Sequence, residues 1–293
     1  MRTAAFIVNR ARVRDAPRLL GECRLSARAA GYEPLLLPTP RQGSGMEQAR
    51  EGVEAGAALV VALGGDGTVR ACAEALAGTE VPLGIVPLGT ANLAARELGL
   101  PRSLTACLDV ALRGRDRRVD LGRASGMTFL AMAGLGLDAA VVRATPLWAK
   151  RRWGWAGYAG AGLTQLSMPP ARFRLRLDGR ELSCSARSVV VGNVGLLPGG
   201  FALLPDARPD DGILDAGVLA PPGLGGWLQV GWRVLSRGNR SDGLLTRVRA
   251  REIEVRADRE LLRQVDGEML APGRTLSVRV LPGALTVRVP PLR

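Results

Sequence analysis

Some short clusters in this chain carry residue types that could do chemistry. Gly64-Gly65-Asp66-Gly67-Thr68 sets a carboxylate and a hydroxyl among glycines. Gly89-Thr90-Ala91-Asn92 is a second glycine turn with a hydroxyl and an amide. Asp266-Gly267-Glu268 places carboxylates on either side of a glycine, and Asp206, Asp210, Asp211 and Asp215 form an acidic loop. Glycines remove the Cβ atoms that keep a phosphate off the backbone. The unpaired N–H groups at a helix start carry partial positive charge and bind phosphate. The chain contains no histidine. That excludes Ser-His-Asp and Cys-His catalysis and His-ligated metals, and points to a carboxylate as any general base.

The elements around these clusters explain how they would be held. Ala57 to Leu63 is a short, continuous apolar run, which suits a strand buried on both faces. Behind the first turn, Val69, Cys72, Ala73 and Leu76 fall at helical spacing, and Gly78 ends the pattern. Val81 to Val86 reads as a strand running into the second turn, and Ser103 caps a helix from Leu104 to Gly114. Upstream, Thr3 to Val8 and Leu35 to Leu37 are strand-like. Asp15 is expected to open the helix between them, and Ser44 the helix that follows the second. This alternation predicts a doubly wound parallel sheet with helices on both faces.

From Arg117 the texture changes to alternating strands. The predicted strands are Arg117–Leu121, Met127–Ala133, Arg172–Leu177, Ser188–Val191, Ile213–Leu219, Arg249–Ala257, Thr275–Leu281 and Ala284–Val289. Asp178-Gly179 is a hairpin signal, Gly134 to Arg143 reads as a helix start, and Leu224 to Leu235 as a helix. The fold class is therefore α/β: an N-terminal doubly wound parallel-sheet nucleotide domain, residues 1–116, and a C-terminal antiparallel β-sandwich domain, residues 117–285.

A hydrophobic fraction of 47% over 293 residues is that of a globular chain with ample core. No apolar run approaches the ~20 residues of a membrane-crossing helix, and Met1–Val8 is too short for a signal peptide. A cytoplasmic protein is expected. Cys23, Cys72, Cys107 and Cys184 are widely spaced in apolar patterns, which fits small core residues in a reducing compartment. The net charge of +13 is carried almost wholly by arginine; Lys150 is the only lysine. It reads as arginine-rich composition, as nucleic-acid binding, or as docking on an anionic membrane. With 4% aromatic residues and no aromatic-basic interleaving, no specific nucleic acid is expected. The predicted helix Lys150–Leu166, with Arg151, Arg152, Trp153 and Trp155, is either a solvated face or a membrane-surface contact.

The glycine turn lacks the Gly-Lys-Ser/Thr of a Walker loop. Gly-Gly-Asp-Gly-Thr instead resembles the signature of the superfamily of diacylglycerol, sphingosine and NAD kinases and 6-phosphofructokinases. Gly-Thr-Ala-Asn followed by Gly99-Leu100-Pro101 resembles the second motif of bacterial diacylglycerol-kinase-like lipid kinases. The resemblance covers nearly the whole chain. It implies that a C-terminal tail, about residues 286–293, packs back on the first domain.

The resemblance implies an ATP- and Mg²⁺-dependent kinase acting on a lipid hydroxyl, diacylglycerol first among the candidates. Such an enzyme would be peripherally associated with a membrane surface rich in anionic lipid. A homodimer is compatible with the sequence. The competing readings are a soluble kinase of the superfamily acting on NAD or a sugar phosphate, and a non-enzymatic basic protein that binds nucleotide or nucleic acid.

In the lipid-kinase reading Gly64, Gly65, Asp66, Gly67, Thr68, Gly89, Thr90 and Asn92 cradle the nucleotide, and the resemblance adds Asn9 and Thr39. Asp66 holds Mg²⁺ through water, or the ribose, or the turn itself, and its loss is expected to leave the fold intact. Asn9-Arg10-Ala11 departs from the family's Asn-Pro, and Arg10 could reach a phosphate. Arg70, Ala71 and Leu93 stand where relatives carry acidic or amide groups, so the carboxylate network is thinner. Glu268 is the expected proton acceptor, with Asp266 as its partner, a rival base or a metal ligand; the plain alternative is a hairpin turn. By resemblance, a structural Mg²⁺ falls to Asp211 with the carbonyls of Arg208 and Ile213. Gly192-Asn193 and Leu196–Phe201 line an acyl-chain cleft or form a plain loop.

Overall fold

The computed structural model describes residues 1–11, 16–40, 43–144, 168–197, 201–236 and 243–291. The expected Asp15 cap, the basic helix with Lys150, and Pro198-Gly199-Gly200 lie outside these residues. The chain divides into two compact units, Met1–Val119 with Gly283–Arg293, and Asp120–Pro282.

In the first unit, strands β1 (Arg2–Val8), β2 (Tyr32–Pro38), β3 (Leu59–Gly64) and β4 (Leu83–Pro87) pair in parallel in the order β4-β3-β1-β2. The end of the last strand adds to β4 in parallel, with Val287 beside Leu83. All of β3 is buried, which is why it reads as an unbroken apolar run. Side chains alternate across the sheet. Phe6, Val8, Leu59 and Val61 pack with Cys23 and Ala27 of α1 (Ala16–Ala29) and Cys107 and Ala111 of α5 (Leu104–Arg113). On the opposite face lie α2 (Met46–Glu54) and α3 (Asp66–Leu76). Gly52 of α2 is so close to Ala5 and Val60 that a Cβ there would stand 2.7 Å from the Ala5 Cβ. The short α4 (Leu93–Glu97) lies between β4 and α5.

Local signals account for the helix ends. The Ser103 hydroxyl accepts from the Ala106 amide at 3.2 Å and Gly114 ends α5. Helix α2 differs from expectation: Gly45, not Ser44, is its N-cap, because the chain turns there at φ 101. Burial pushes the Cys23 and Cys72 thiols up to about 12, so they are inert core residues.

The second unit is an antiparallel sandwich. It contains the second half of β5 (Arg115–Ala124), β6 (Met127–Phe129), β7 (Met132–Gly136), α6 (Leu137–Ala144), β8 (Ala171–Leu177), β9 (Arg180–Ala186), β10 (Ser188–Gly192) and β11 (Leu214–Leu219). Then follow α7 (Gly223–Ser236), β12 (Leu245–Ala250), β13 (Glu252–Val265) and the first part of β14 (Glu268–Val289). The strand order is β12-β11-β10-β7-β13-β14, with β8 on β13 and β9 on β8. Phe129, Phe173, Leu175, Val191, Ile253 and Leu276 lie in its core.

Several predicted elements are redrawn. Met127–Ala133 is two strands, broken at Leu130-Ala131. The helix expected from Gly134 begins at Leu137, after β7 has continued to Gly136. Arg249–Ala257 spans the junction of β12 and β13, and the last two predicted strands are one, β14. Among the described residues no helix is long and apolar enough to cross a membrane.

One glycine fixes how closely α5 sits on the first sheet. A Cβ on Gly84 would stand 2.7 Å from the Ala111 Cβ and 3.2 Å from its Cα. Helix backbone cannot yield cheaply, so Gly84→Ala should destabilise the chain by ~1–3 kcal/mol through overpacking. A urea-denaturation midpoint lowered accordingly is the expected result; an unchanged midpoint would show that α5 is loosely seated.

Candidate active site

The first unit gathers its candidates at the carboxyl edge of the parallel sheet. The order β4-β3-β1-β2 reverses direction between β1 and β3, and such a switch point opens a crevice above the strand ends. Asn9 follows β1 there, and its Nδ2 donates to the Thr68 hydroxyl at the start of α3, 2.8 Å away. The Thr39 amide, after β2, donates to the Val8 carbonyl at 2.9 Å. Thr39 and Thr68 are buried. Gly64 has no room for a side chain: a Cβ would lie 2.6 Å from the Thr68 Cβ.

The two glycine turns lie against each other. The Leu88 amide donates to the Gly64 carbonyl at 2.7 Å, and a Cβ on Gly89 would approach the Gly65 Cα to 2.7 Å. Asp66 ties them together. Its Oδ2 accepts from the Asn92 amide at 2.8 Å and its Oδ1 from the Leu93 amide at 2.7 Å. Burial pushes the Asp66 carboxyl above the usual carboxylate range, with the amides of Leu93 and Asn92 pulling the other way. The Asn92 side chain closes its own turn, donating to the Gly89 carbonyl and accepting from the Gly89 amide at 2.8 and 3.0 Å. Its backbone is left-handed, φ 47. Thr90 is exposed at the tip.

This arrangement leaves the start of α3 without a cap. Its N-cap is Gly65, which has no side chain to offer, and the one acidic group of the first turn is spent on the second turn. Around Gly67 a Cβ would meet nothing within 4 Å. The Thr68 amide donates to the Gly65 carbonyl at 3.0 Å, and an uncapped helix start open at Gly67 suits an anion such as a phosphate group. Of the roles left open for Asp66, the geometry supports the turn itself. The expectation that its loss would spare the fold is corrected, because its oxygens hold backbone amides of a distant segment.

The second unit treats Asp266 in the same way. β13 and β14 are joined by Asp266 and Gly267, both left-handed at φ 47 and 81. The Asp266 carboxylate accepts from the amides of Leu130, Ala131 and Met132 at 2.8, 3.0 and 2.9 Å, and its own amide donates to the Met132 carbonyl at 2.8 Å. These bonds explain the break between β6 and β7: the amides of Leu130 and Ala131 face the carboxylate. Glu268, the first residue of β14, is exposed.

Asn193 also belongs to this framework. It is 2% exposed, and its Nδ2 donates to the carbonyls of Asp120 and Leu130. The Leu197 amide donates to the Phe201 carbonyl, and Leu196 is bridged to Ala202. Asp120 escaped sequence analysis. It is buried in β5, accepts from the Gly212 amide at 2.6 Å, and its amide donates to the Pro209 carbonyl. The available signal was an acid flanked directly by the apolar Val119 and Leu121.

Asp211 is exposed beside that contact. Its Oδ1 accepts from the Ile213 amide and its Oδ2 pairs with Arg249, which also reaches Asp215 at 3.3 Å. Among the described residues no group of three or more Asp, Glu, Cys or His side chains is placed to hold a metal ion. One carboxylate with the carbonyls of Arg208 and Ile213 is an all-oxygen set suited to a hard cation. In this structure the loop's charge is met by Arg249 instead.

Sequence and fold comparisons place these features. Residues 3–124 match the diacylglycerol kinase catalytic domain, and residues 131–289 match the YegS C-terminal NAD kinase beta sandwich-like domain. The chain belongs to the YegS-like lipid kinase family. A probable lipid kinase, YegS-like, of Pseudomonas fluorescens is 37% identical, over 90% of this chain and 88% of that protein. Its namesake in Pseudomonas aeruginosa is 38% identical over 90% of this chain and 87% of its own. A solved structure from Bacillus anthracis shares the fold with a TM-score of 0.84 at 25% identity, covering 99% of this chain and 95% of that one. In this YegS-like chain, then, the Asp66-tied turns lie in the part that matches the diacylglycerol kinase catalytic domain, and the Asp266 turn in the part that matches the YegS sandwich.

The tie made by Asp66 can be tested by a near-isosteric change. In Asp66→Asn one oxygen becomes an NH₂ that faces an N–H donor, so a backbone amide loses its acceptor, at a cost of ~1–3 kcal/mol. Urea denaturation should show that loss, and ATP titration should show weakened binding in parallel. Unchanged stability with lost activity would instead make Asp66 a metal or nucleotide ligand.

Proposed function

We propose that this protein is an ATP-dependent lipid kinase that phosphorylates a lipid hydroxyl, with diacylglycerol the first candidate and phosphatidic acid its product. The observation that carries the reading is the uncapped start of α3 beneath two interlocked glycine turns. Gly65 and Gly67 would let the donor's phosphates approach the α3 amides, while Asn9, Thr39, Thr68, Gly64, Gly89, Thr90 and Asn92 shape the surrounding wall. Membership of a lipid-kinase family supports a lipid acceptor over NAD or a sugar phosphate. The charge of +13 suits work at an anionic membrane surface.

In-line transfer needs a proton acceptor for the attacking hydroxyl. Asp266 is poorly suited, since three backbone amides already donate to its carboxylate. Glu268, exposed on the same turn, is the proposed base, and Asp266 positions it. Asp211 with the carbonyls of Arg208 and Ile213 is the proposed Mg²⁺ site, where the ion would compete with Arg249 and brace the loop. A divalent ion bound with the nucleotide neutralises phosphate charge during transfer.

The test uses labelled ATP and mixed micelles of lipid and detergent. Wild-type protein should move label into the organic phase. Glu268→Gln should lower kcat by ~10²–10⁴-fold, the usual cost of a lost general base, with little change in ATP affinity. Asp266→Asn should lower both kcat and thermal stability, because it unties the Leu130–Met132 segment. A near-normal Glu268→Gln would remove the base from the mechanism.

A further inference from the structure

Behind the Asp266-Gly267 turn lies a set of polar side chains that the proposed chemistry does not use. Gln264 is 3% exposed on β13, in a position otherwise suited to an apolar residue. Its Oε1 accepts from the Gly267 amide at 2.8 Å, inside the turn that ends at Glu268. Its Nε2 donates to Asp138 Oδ2, 3.0 Å away on α6. The other oxygen of Asp138 accepts from the Ser188 hydroxyl at 2.7 Å, and the Asp138 amide donates back to that hydroxyl at 3.3 Å. Ser188 is 1% exposed.

The backbone has been shaped to admit this chain of bonds. Gly134 pairs with Gln264 across β7 and β13. A Cβ on Gly134 would lie 1.7 Å from Asp138 Oδ2, so the glycine vacates the space that the carboxyl fills. A side-chain amide spending both ends on fixed partners is a rigid spacer, since each lost bond would strand a buried polar group. Its far end is a turn whose residues are left-handed and carry the proposed base.

We propose that Gln264, braced by Asp138 and Ser188, is a positioning residue that sets the backbone of the Asp266-Gly267 turn and thereby the aim of Glu268. This rests on the lipid-kinase reading for its catalytic consequence, but the strut itself is independent of it. Burial pushes the Asp138 carboxyl above its ordinary range, opposed by Ser188 and Gln264. A neutral amide at position 138 is therefore a close replacement: its oxygen can accept from Gln264 and its NH₂ can donate to Ser188.

The experiment compares full-length wild type with Gln264→Met, Gly134→Ala and Asp138→Asn. Two readouts are needed: hydrogen exchange at the Gly267 amide, and steady-state kinetics with ATP and diacylglycerol micelles. Gln264→Met removes the spacer, and Gly134→Ala evicts Asp138 while leaving Gln264 present. Both should speed Gly267 exchange at least tenfold, and lower kcat about tenfold to a hundredfold at unchanged KM for ATP, as small misplacements of a reacting group do. Asp138→Asn should leave both readouts near wild type. Gly267 exchange unchanged in Gln264→Met and Gly134→Ala would overturn the strut. Fast exchange with undiminished kcat would overturn its positioning role. A wild type that moves no label into lipid fails the kinase reading alone, and the exchange data still decide the strut.

Discussion

The fold depends on a carboxylate that binds backbone. Asp66 lies one residue beyond the N-cap of α3, where an acid ordinarily serves its own helix. Here it reaches across to the amides of Asn92 and Leu93 and so fixes the second glycine turn against the first. The consequence is electrostatic. A helix start that could have been capped by a side chain is left uncapped, at the edge of a parallel sheet and facing open space beside Gly67. Asn9 and Thr68, joined across the switch point of the sheet, complete that edge.

The second unit uses the same device. Asp266 gives its oxygens to Leu130, Ala131 and Met132, and breaks a strand in doing so. In both units the acid that looks most like chemistry in the sequence does structural work, and exposed residues lie beside it. Gly67 and Glu268 are those neighbours, both exposed. Gln264 and Asp138 extend the same logic inward, with polar side chains spent on the shape of a turn.

Much of this was legible in the residues. The buried β3 and the stripe of Val69, Cys72 and Leu76 have single readings, because burial on both faces and helical spacing leave no alternative. The hairpin at Asp178-Gly179 follows from turn chemistry, with both residues left-handed. What could not be read was long-range. Asp66 and Asn92 are 26 residues apart, and Asp266 and Leu130 are 136 apart. No local pattern announces that a carboxylate will be answered by a distant amide. The split of Met127–Ala133 into two strands has that same remote cause. Nothing in the strand pattern around Arg249 shows that it supplies the charge that meets the acidic loop.

If the start of α3 is a phosphate cradle, a side chain at Gly67 will obstruct it. The surroundings of Gly67 are open, so Gly67→Ala strains nothing in the protein and adds helix propensity worth up to ~1 kcal/mol. The added methyl group would stand where a phosphate is expected to approach. Isothermal titration with ATP and Mg²⁺ should therefore show at least a tenfold loss of affinity in a variant whose melting temperature is equal to or above that of wild type. ATP binding as tight as in wild type would contradict the account.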